Sequence, residues 1–175
     1  LRRDRGAIAG LIMLFIITMM AILAPIVATH DPLASPFSES RLPPSREHLM
    51  GTDVLGRDIY SRVVYGARIS LRLGFVSVGI AALFGTILGM LSGYLGGWAD
   101  MIIMRFMDVM LAFPGLLLAM AIVAGLGFSL INAMIAVGVS AIPGYTRVVR
   151  GRVLSVKENV YIDAARAIGC REIGI

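Results

Sequence analysis

The chain has 175 residues, 58% of them hydrophobic and 15% charged, with 16 Lys and Arg against 11 Asp and Glu for a net charge of +5. A mean hydropathy of +0.85 excludes an ordinary soluble domain, in which about half the residues are apolar and about a quarter charged. The isoelectric point near 10.0 reflects arginines at the ends of apolar runs and calls for no nucleic acid, and no RNA- or DNA-binding motif is present.

The apolar residues lie in three uncharged runs, 6–29, 73–99 and 109–146. Crossing the hydrocarbon core takes about 20 apolar residues in a helix. The first two runs hold one span each. The third is too long for one, and Gly-Leu-Gly-Phe-Ser at 125–129 supplies a turn that cuts it. Four spans are therefore expected, at about 7–28, 71–94, 104–125 and 130–147. The strands of a membrane barrel would alternate polar and apolar residues. These runs do not, so the expected fold is an all-α polytopic membrane protein.

Arg2, Arg3 and Arg5 precede the first run, as in a signal peptide. Its apolar stretch exceeds the 7–15 residues of a signal core, so it reads as a retained span. A start on Leu1 and an end at Ile175 within a helical pattern read as a piece of a longer protein. Arginines before the first span place the N-terminus in the cytoplasm. Arg147, Arg150, Arg152, Lys157, Arg166 and Arg171, against Glu158, Asp163 and Glu172, place the last segment on the same side, which an even number of spans satisfies. The outside segment runs against the rule, with Arg41, Arg46, Arg57, Arg62 and Arg68 beside five acids.

That outside segment has two parts. Residues 29–48 hold four prolines and five Ser or Thr and read as an irregular linker. In 50–74, Gly51 and Gly56 mark turns, and Asp53 and Asp58 suit helix caps. Ile59, Val63 and Ala67 then share a face, with Asp58 and Arg62 four apart on another. A short amphipathic helix at the membrane surface is expected, leading into the second span. It serves either as an elbow or as a dock for an outside partner. Gly85, Gly89, Gly93 and Gly97 in the second span recur every four residues, a stripe that lets another helix approach closely; it serves helix packing or lines a pore. Gly96-Gly97 ends that helix.

In the third span, Asp108 is placed to pair with Arg105 near the interface, where an acid is least costly. Pro114 breaks a backbone hydrogen bond and kinks the helix, as a hinge for gating or as a packing bend. Met101, Met104, Met107 and Met110 form a stripe better suited to packing than to soft metals, since no cysteine or histidine is near. No catalytic set appears. His30 and His48 lie in the linker, away from any second ligand pattern, and no metal site is expected. Cys170, the sole cysteine, has no internal disulfide partner and belongs on the reducing side. The sole lysine, Lys157, follows Val156, so the chain lacks the Gly-Lys-Ser/Thr phosphate loop; nucleotide, if used, binds elsewhere.

Ser155 to Glu158 fits a capping box, predicting a helix from Val156, and Gly169 is a natural stop. Val160, Ala164 and Ala167 form one stripe, flanked by Tyr161, Ala165 and Ile168, with Asp163 and Arg166 as a charged rim. Too short and charged to cross a bilayer, and marginal alone in water, this helix packs either on its own bundle or on a cytoplasmic partner.

The segment DAARAIG, 163–169, resembles the E-A-A-x-x-x-G loop of ABC-transporter permeases. Asp163, Ala164, Ala165 and Gly169 fall at the signature positions, Asp standing one methylene short of the usual Glu. GTDVLGRDIYSRVVYGARISL at 51–71 and MRFMDVMLAFPGLLLA at 104–119 are similar to the dipeptide/oligopeptide branch of that family, whose relatives also import nickel. The resemblance implies a type I ABC importer transmembrane domain, of which this chain holds four of about six spans. It implies three regions: a cytoplasmic N-terminus and first transmembrane helix, 1–28; an extracytoplasmic linker and elbow, 29–70; and a permease domain, 71–175, ending in the coupling loop 148–175. It implies a cell inner-membrane subunit working with a second homologous permease, two ATPase subunits that hold ATP and Mg, and an extracytoplasmic substrate-binding protein. Residues Asp163 to Gly169, with Tyr161 and Arg166, would fill the ATPase groove. The chain itself would be no enzyme and hold no cofactor. Rival readings are an ion-coupled secondary transporter or channel subunit, which should show charges deep in its spans and broken-helix repeats, and a non-transporting scaffold, which should have no ATPase partner.

Overall fold

The structure, a computed structural model, describes residues 5–169. Among them are seven α-helices, one 3-10 turn and a single isolated bridge, between Thr52 and Asp58. The chain divides into two compact units, Leu1–Leu73 and Gly74–Ile175.

In the first unit, helix α1 (Arg5–Ile22) is apolar on every side. Leu11, Ile12, Met13, Leu14, Phe15 and Ile16 all stay exposed, which suits lipid rather than water. Its one hydroxyl, Thr18, donates back to the Leu14 carbonyl at 2.7 Å, so no hydroxyl along the helix is left unpaired. Helix α2 (Ala24–Val27) follows with proline in its first turn. The linker contributes the 3-10 turn Phe37–Glu39. Gly51 and Gly56 turn with φ +74° and +78°, a region that L side chains avoid; a Cβ on Gly56 would collide with the Pro36 carbonyl.

Helix α3 (Ile59–Leu95) begins where Asp58 Oδ2 accepts the Ser61 N–H at 2.7 Å, a side-chain cap. The sequence reading expected a separate surface helix before a span at 71–94. The structure instead runs both into one helix of 37 residues, because no proline or glycine pair interrupts 59–73. Its length, about 55 Å, exceeds the hydrocarbon thickness of about 30 Å. Nor do Asp58 and Arg62 pair: Arg62 meets the Asp53 carboxylate instead, while Asp58 is turned inward.

In the second unit, α3 stops at Gly96 and Gly97, with φ +64° and +52°. Helix α4 (Gly97–Ala112) and helix α5 (Gly115–Leu126) replace the expected single span at 104–125, and their axes bend by 92° at the break. Proline offers no N–H to continue α4 and holds the residue before it extended, as Phe113 is, with φ −91° and ψ 135°. Gly127, φ +93°, makes the turn. Ser129 then caps helix α6 (Leu130–Lys157) by accepting the Asn132 N–H at 3.1 Å. Helix α7 (Val160–Ala167) follows.

Among the described residues two helices, α1 and α3, are long and apolar enough to cross a membrane, or three segments if α4 and α5 count as one. The fourth expected span departs from this. Its helix, α6, is 28 residues long, but Asn132, Ser140, Thr146 and Arg147 dilute it. It is also the packing centre of its unit, lying on α4 and α5 and burying Met134, Ala136, Gly138, Ile142, Pro143 and Thr146.

Candidate functional site

The glycine stripe of α3 lies along α6. A Cβ on Gly85 would run into Tyr145 Cβ. One on Gly89 would come within 2.7 Å of both the Thr146 carbonyl oxygen and Val149 Cβ, and one on Gly93 within 2.8 Å of Val153 Cβ. Real Cβ atoms do not approach so closely, so the two backbones meet at a distance that only glycine allows. Gly97 stands apart, opening α4 with free space around it. The sequence reading missed the reciprocal position: a Cβ on Gly138 of α6 would come within 2.9 Å of Ile80 Cβ and 3.0 Å of the Ser77 carbonyl oxygen. The Ser77 hydroxyl adds a buried bond to the Met134 carbonyl at 2.8 Å.

Charged contacts close the α7-proximal end of this seam. Arg150 grips Asp100 with two parallel bonds, Nε to Oδ1 and Nη2 to Oδ2, both 2.6 Å. Such a fork fixes geometry as well as charge. The Ser92 hydroxyl also donates to Asp100, so one carboxylate ties α3, α4 and α6 together. Lys157 Nζ donates to the Tyr94 carbonyl at 3.0 Å and lies 5.9 Å from the centre of its ring. This puts the last turn of α6 on the last turn of α3. Asp108 pairs with Arg147 at 2.6 Å, not with Arg105 as expected. On α4 the side chain three residues back is a neighbour, but α6 brings a cation directly opposite. None of these partners shared a local motif; Asp100 and Arg150 are 50 residues apart.

Helix α7 begins at Val160, not at Val156. Ser155 to Lys157 belong to α6, so the capping box does not form. The Asn159 side chain takes up the carbonyls of Ser155 and Val156 at 3.3 and 3.1 Å, satisfying the end of α6 and setting the elbow into α7. Ile162 is buried, whereas Val160, Tyr161 and Ile168 are exposed, and Gly169 turns with φ +82°. Asp163, Ala164, Ala165 and Arg166 lie on helical backbone, with their side chains outside the description. Arg2, Arg3, Cys170 and Arg171 lie outside the described residues.

The structure corrects the reading of the two histidines. It gathers His30, His48 and Asp58 so that one donor atom from each lies within 4.8 Å of the others. His48 and Asp58 are buried, with His48 Nδ1 3.0 Å from Asp58 Oδ1. Glu39 Oε2 stands 3.5 Å from His48 Nε2. The His30 ring stacks on His48 at 4.7 Å between centroids. Burial pushes the Asp58 carboxyl up, but bonds from the Ser61 N–H and hydroxyl and from His48 outweigh it and hold the group below its ordinary value. Asp53 is also held low, first by the Arg57 N–H. These residues lie up to 28 positions apart across a proline-rich linker, and linear spacing gave no sign that they meet.

The sequence matches the family described as binding-protein-dependent transport system inner membrane component over residues 85–175, and the N-terminal transmembrane domain of oligopeptide transport permease C over residues 1–44. It is 47% identical over 171 residues to a dipeptide transport system permease protein of Alkalihalophilus pseudofirmus, covering 98% of this chain and 56% of that protein. It is 46% identical to a probable D,D-dipeptide transport system permease protein of Escherichia coli, covering 93% and 54%. Against a glutathione transport system permease protein of Pectobacterium atrosepticum the identity is 44%, covering 98% and 57%. The chain thus spans little more than half the length of these relatives.

Proposed function

This chain belongs to the family of binding-protein-dependent transport system inner membrane components, and from that premise we propose that it is part of the permease subunit of an ATP-driven importer carrying dipeptides or solutes of similar size. Relatives named for dipeptides, D,D-dipeptides and glutathione support that cargo class. A second permease would complete the pathway, and an extracytoplasmic binding protein would deliver cargo. ATP and Mg would bind two partner ATPase subunits.

One observation carries the coupling role. Helix α7 and the turn after it present exposed Val160, Tyr161 and Ile168 beyond a base tied to the other helices. Behind it, Asn159 joins α7 to α6, Lys157 joins α6 to α3, and Asp100 joins α3, α4 and α6. Displacement of α7 is therefore passed to helices α3 and α4 rather than absorbed. Turning a 1:99 equilibrium into 99:1 takes about 5.5 kcal/mol of differential binding, and only a stiff connection delivers that. Residues Asp163 to Gly169 would sit in the ATPase groove on the cytoplasmic side, with the N-terminus on that side too.

Gly169→Leu and Ala164→Leu test this in the full-length protein. Both should abolish uptake and release the ATPase on purification while leaving the membrane level of the permease unchanged. Normal uptake by these variants overturns the docking role. A membrane-impermeant thiol reagent added to intact cells should leave Cys170 unmodified; modification from outside overturns the orientation.

A further inference from the structure

We propose that His30, His48 and Asp58 bind one divalent transition-metal ion, with zinc as the reference ion, and that the ion staples the segment after α2 to the first turn of α3. The site lies wholly within the first unit and does not depend on the transport reading.

His48 makes the case. Its ring is buried between two carboxylates, Asp58 at Nδ1 and Glu39 at Nε2. A neutral imidazole has one N–H and one lone pair. It can donate to one carboxylate only, and its lone pair then points at the other. An ion on the edge between Nδ1 and Oδ1 resolves this. The lone pair and Oδ1 both face the cation, and Nε2–H donates to Glu39. That is the carboxylate–histidine–metal arrangement that fixes tautomer and ring orientation.

The remaining atoms are placed to suit. Asp58 Oδ2 is occupied by the Ser61 N–H at 2.7 Å, leaving Oδ1 to ligate. Thr29 Oγ1 lies 3.0 Å from His30 Nδ1, leaving the other ring nitrogen free to ligate. The His30 backbone N–H is tied to the Ser61 hydroxyl at 3.0 Å. Donors around a tetrahedral zinc stand about 3.3 Å apart. The 3.0 Å separation of Nδ1 and Oδ1 is close to such an edge, and His30, half-buried at the rim, closes the rest by side-chain rotation. Two imidazoles and one carboxylate suit zinc, cobalt, nickel or copper and not magnesium or calcium. Three protein donors leave a coordination position for water.

The test uses untagged full-length protein in nanodiscs, stripped with chelator and titrated with Zn2+ against a chromophoric competitor. Co2+ serves as a parallel absorption probe. One zinc per chain is expected. Glu39→Gln should weaken binding roughly 10–100-fold, as loss of an outer partner does, and His30→Ala and Asp58→Asn at least as much. Asparagine still caps a helix, and His30 lies at the rim, so both proteins should fold. If Asp58→Asn fails to fold, His30→Ala decides. Absence of stoichiometric zinc overturns the proposal and leaves a hydrogen-bonded histidine pair. Equal affinity in parent and His30→Ala overturns it as well, because the ion then sits elsewhere.

Discussion

Pro143 lies inside α6, and the helix continues through it; Pro114 lies between α4 and α5, and the axis turns by 92°. The two residues have the same ring and the same missing donor. Their surroundings differ. Pro143 is fully buried, next to Ile142, whose carbonyl lies 3.2 Å from where a Gly85 Cβ would stand. Pro114 is exposed, and Gly115 after it has open space around it. Where the proline is buried in the packing, the helix runs on past it. Without that packing, the proline sets the course of the chain. The α3–α6 seam is thus the rigid part of this unit, and the α4–α5 break its bent part.

The largest effect should come from breaking the seam. Gly89→Leu puts a side chain where the Thr146 carbonyl and Val149 already lie within 2.7 Å of a Cβ. Overpacking of this kind costs about 1–3 kcal/mol. A lower melting temperature and lost uptake are expected. Gly79→Leu on the same helix meets nothing within 4 Å and should melt like the parent. Similar melting of the two variants would show that the seam is loose.

Next comes the clamp that closes the seam. Arg150→Lys keeps the charge but loses the two-pronged grip on Asp100, for which lysine is no substitute. The cost should be about 1.5–3 kcal/mol, that of a hydrogen bond to a charged group. Uptake should fall while ATPase co-purification persists, because α7 is untouched. Uptake at the parental rate would mean that α6 and α4 move as one without the clamp.

Legibility in the sequence followed the range of the interaction. The apolar runs showed the membrane character, and the four-residue glycine repeat pointed to a face that packs closely. The Gly-Leu-Gly turn and the stop at Gly96 could also be read, since each is decided by a few adjacent residues. The capping box at Ser155 failed because α6 runs on through Lys157, and the Asn159 side-chain amide donates to the carbonyls of Ser155 and Val156 at its end. The break at Pro114 was expected as a kink, but its angle depends on where α5 finds α6. Asp100 with Arg150, Asp108 with Arg147, and His48 with Asp58 and His30 were invisible because the fold, not the spacing, brings them together.

A smaller effect should follow from changing the bent part. Pro114→Ala restores an N–H to the chain and removes the roughly 3 kcal/mol by which proline disfavours a continuous helix. The distance between spin labels at Ile102 and Val123 should lengthen as α4 and α5 straighten. An unchanged distance would show that packing of α5 on α6 sets the bend and that Pro114 only permits it.

The smallest effect is expected at Pro143. Pro143→Ala supplies an N–H that the Val139 carbonyl can accept, which favours the helix. It also removes ring atoms from a fully buried site, which leaves a small void and costs stability. The two changes oppose each other, so the melting temperature should stay close to that of the parent. A large fall would mean that the ring itself wedges α6 against the α3 glycines. Pro143 would then be a structural part of the seam, not a residue tolerated within it, and the contrast with Pro114 would lie in what each ring touches rather than in how firmly its helix is held.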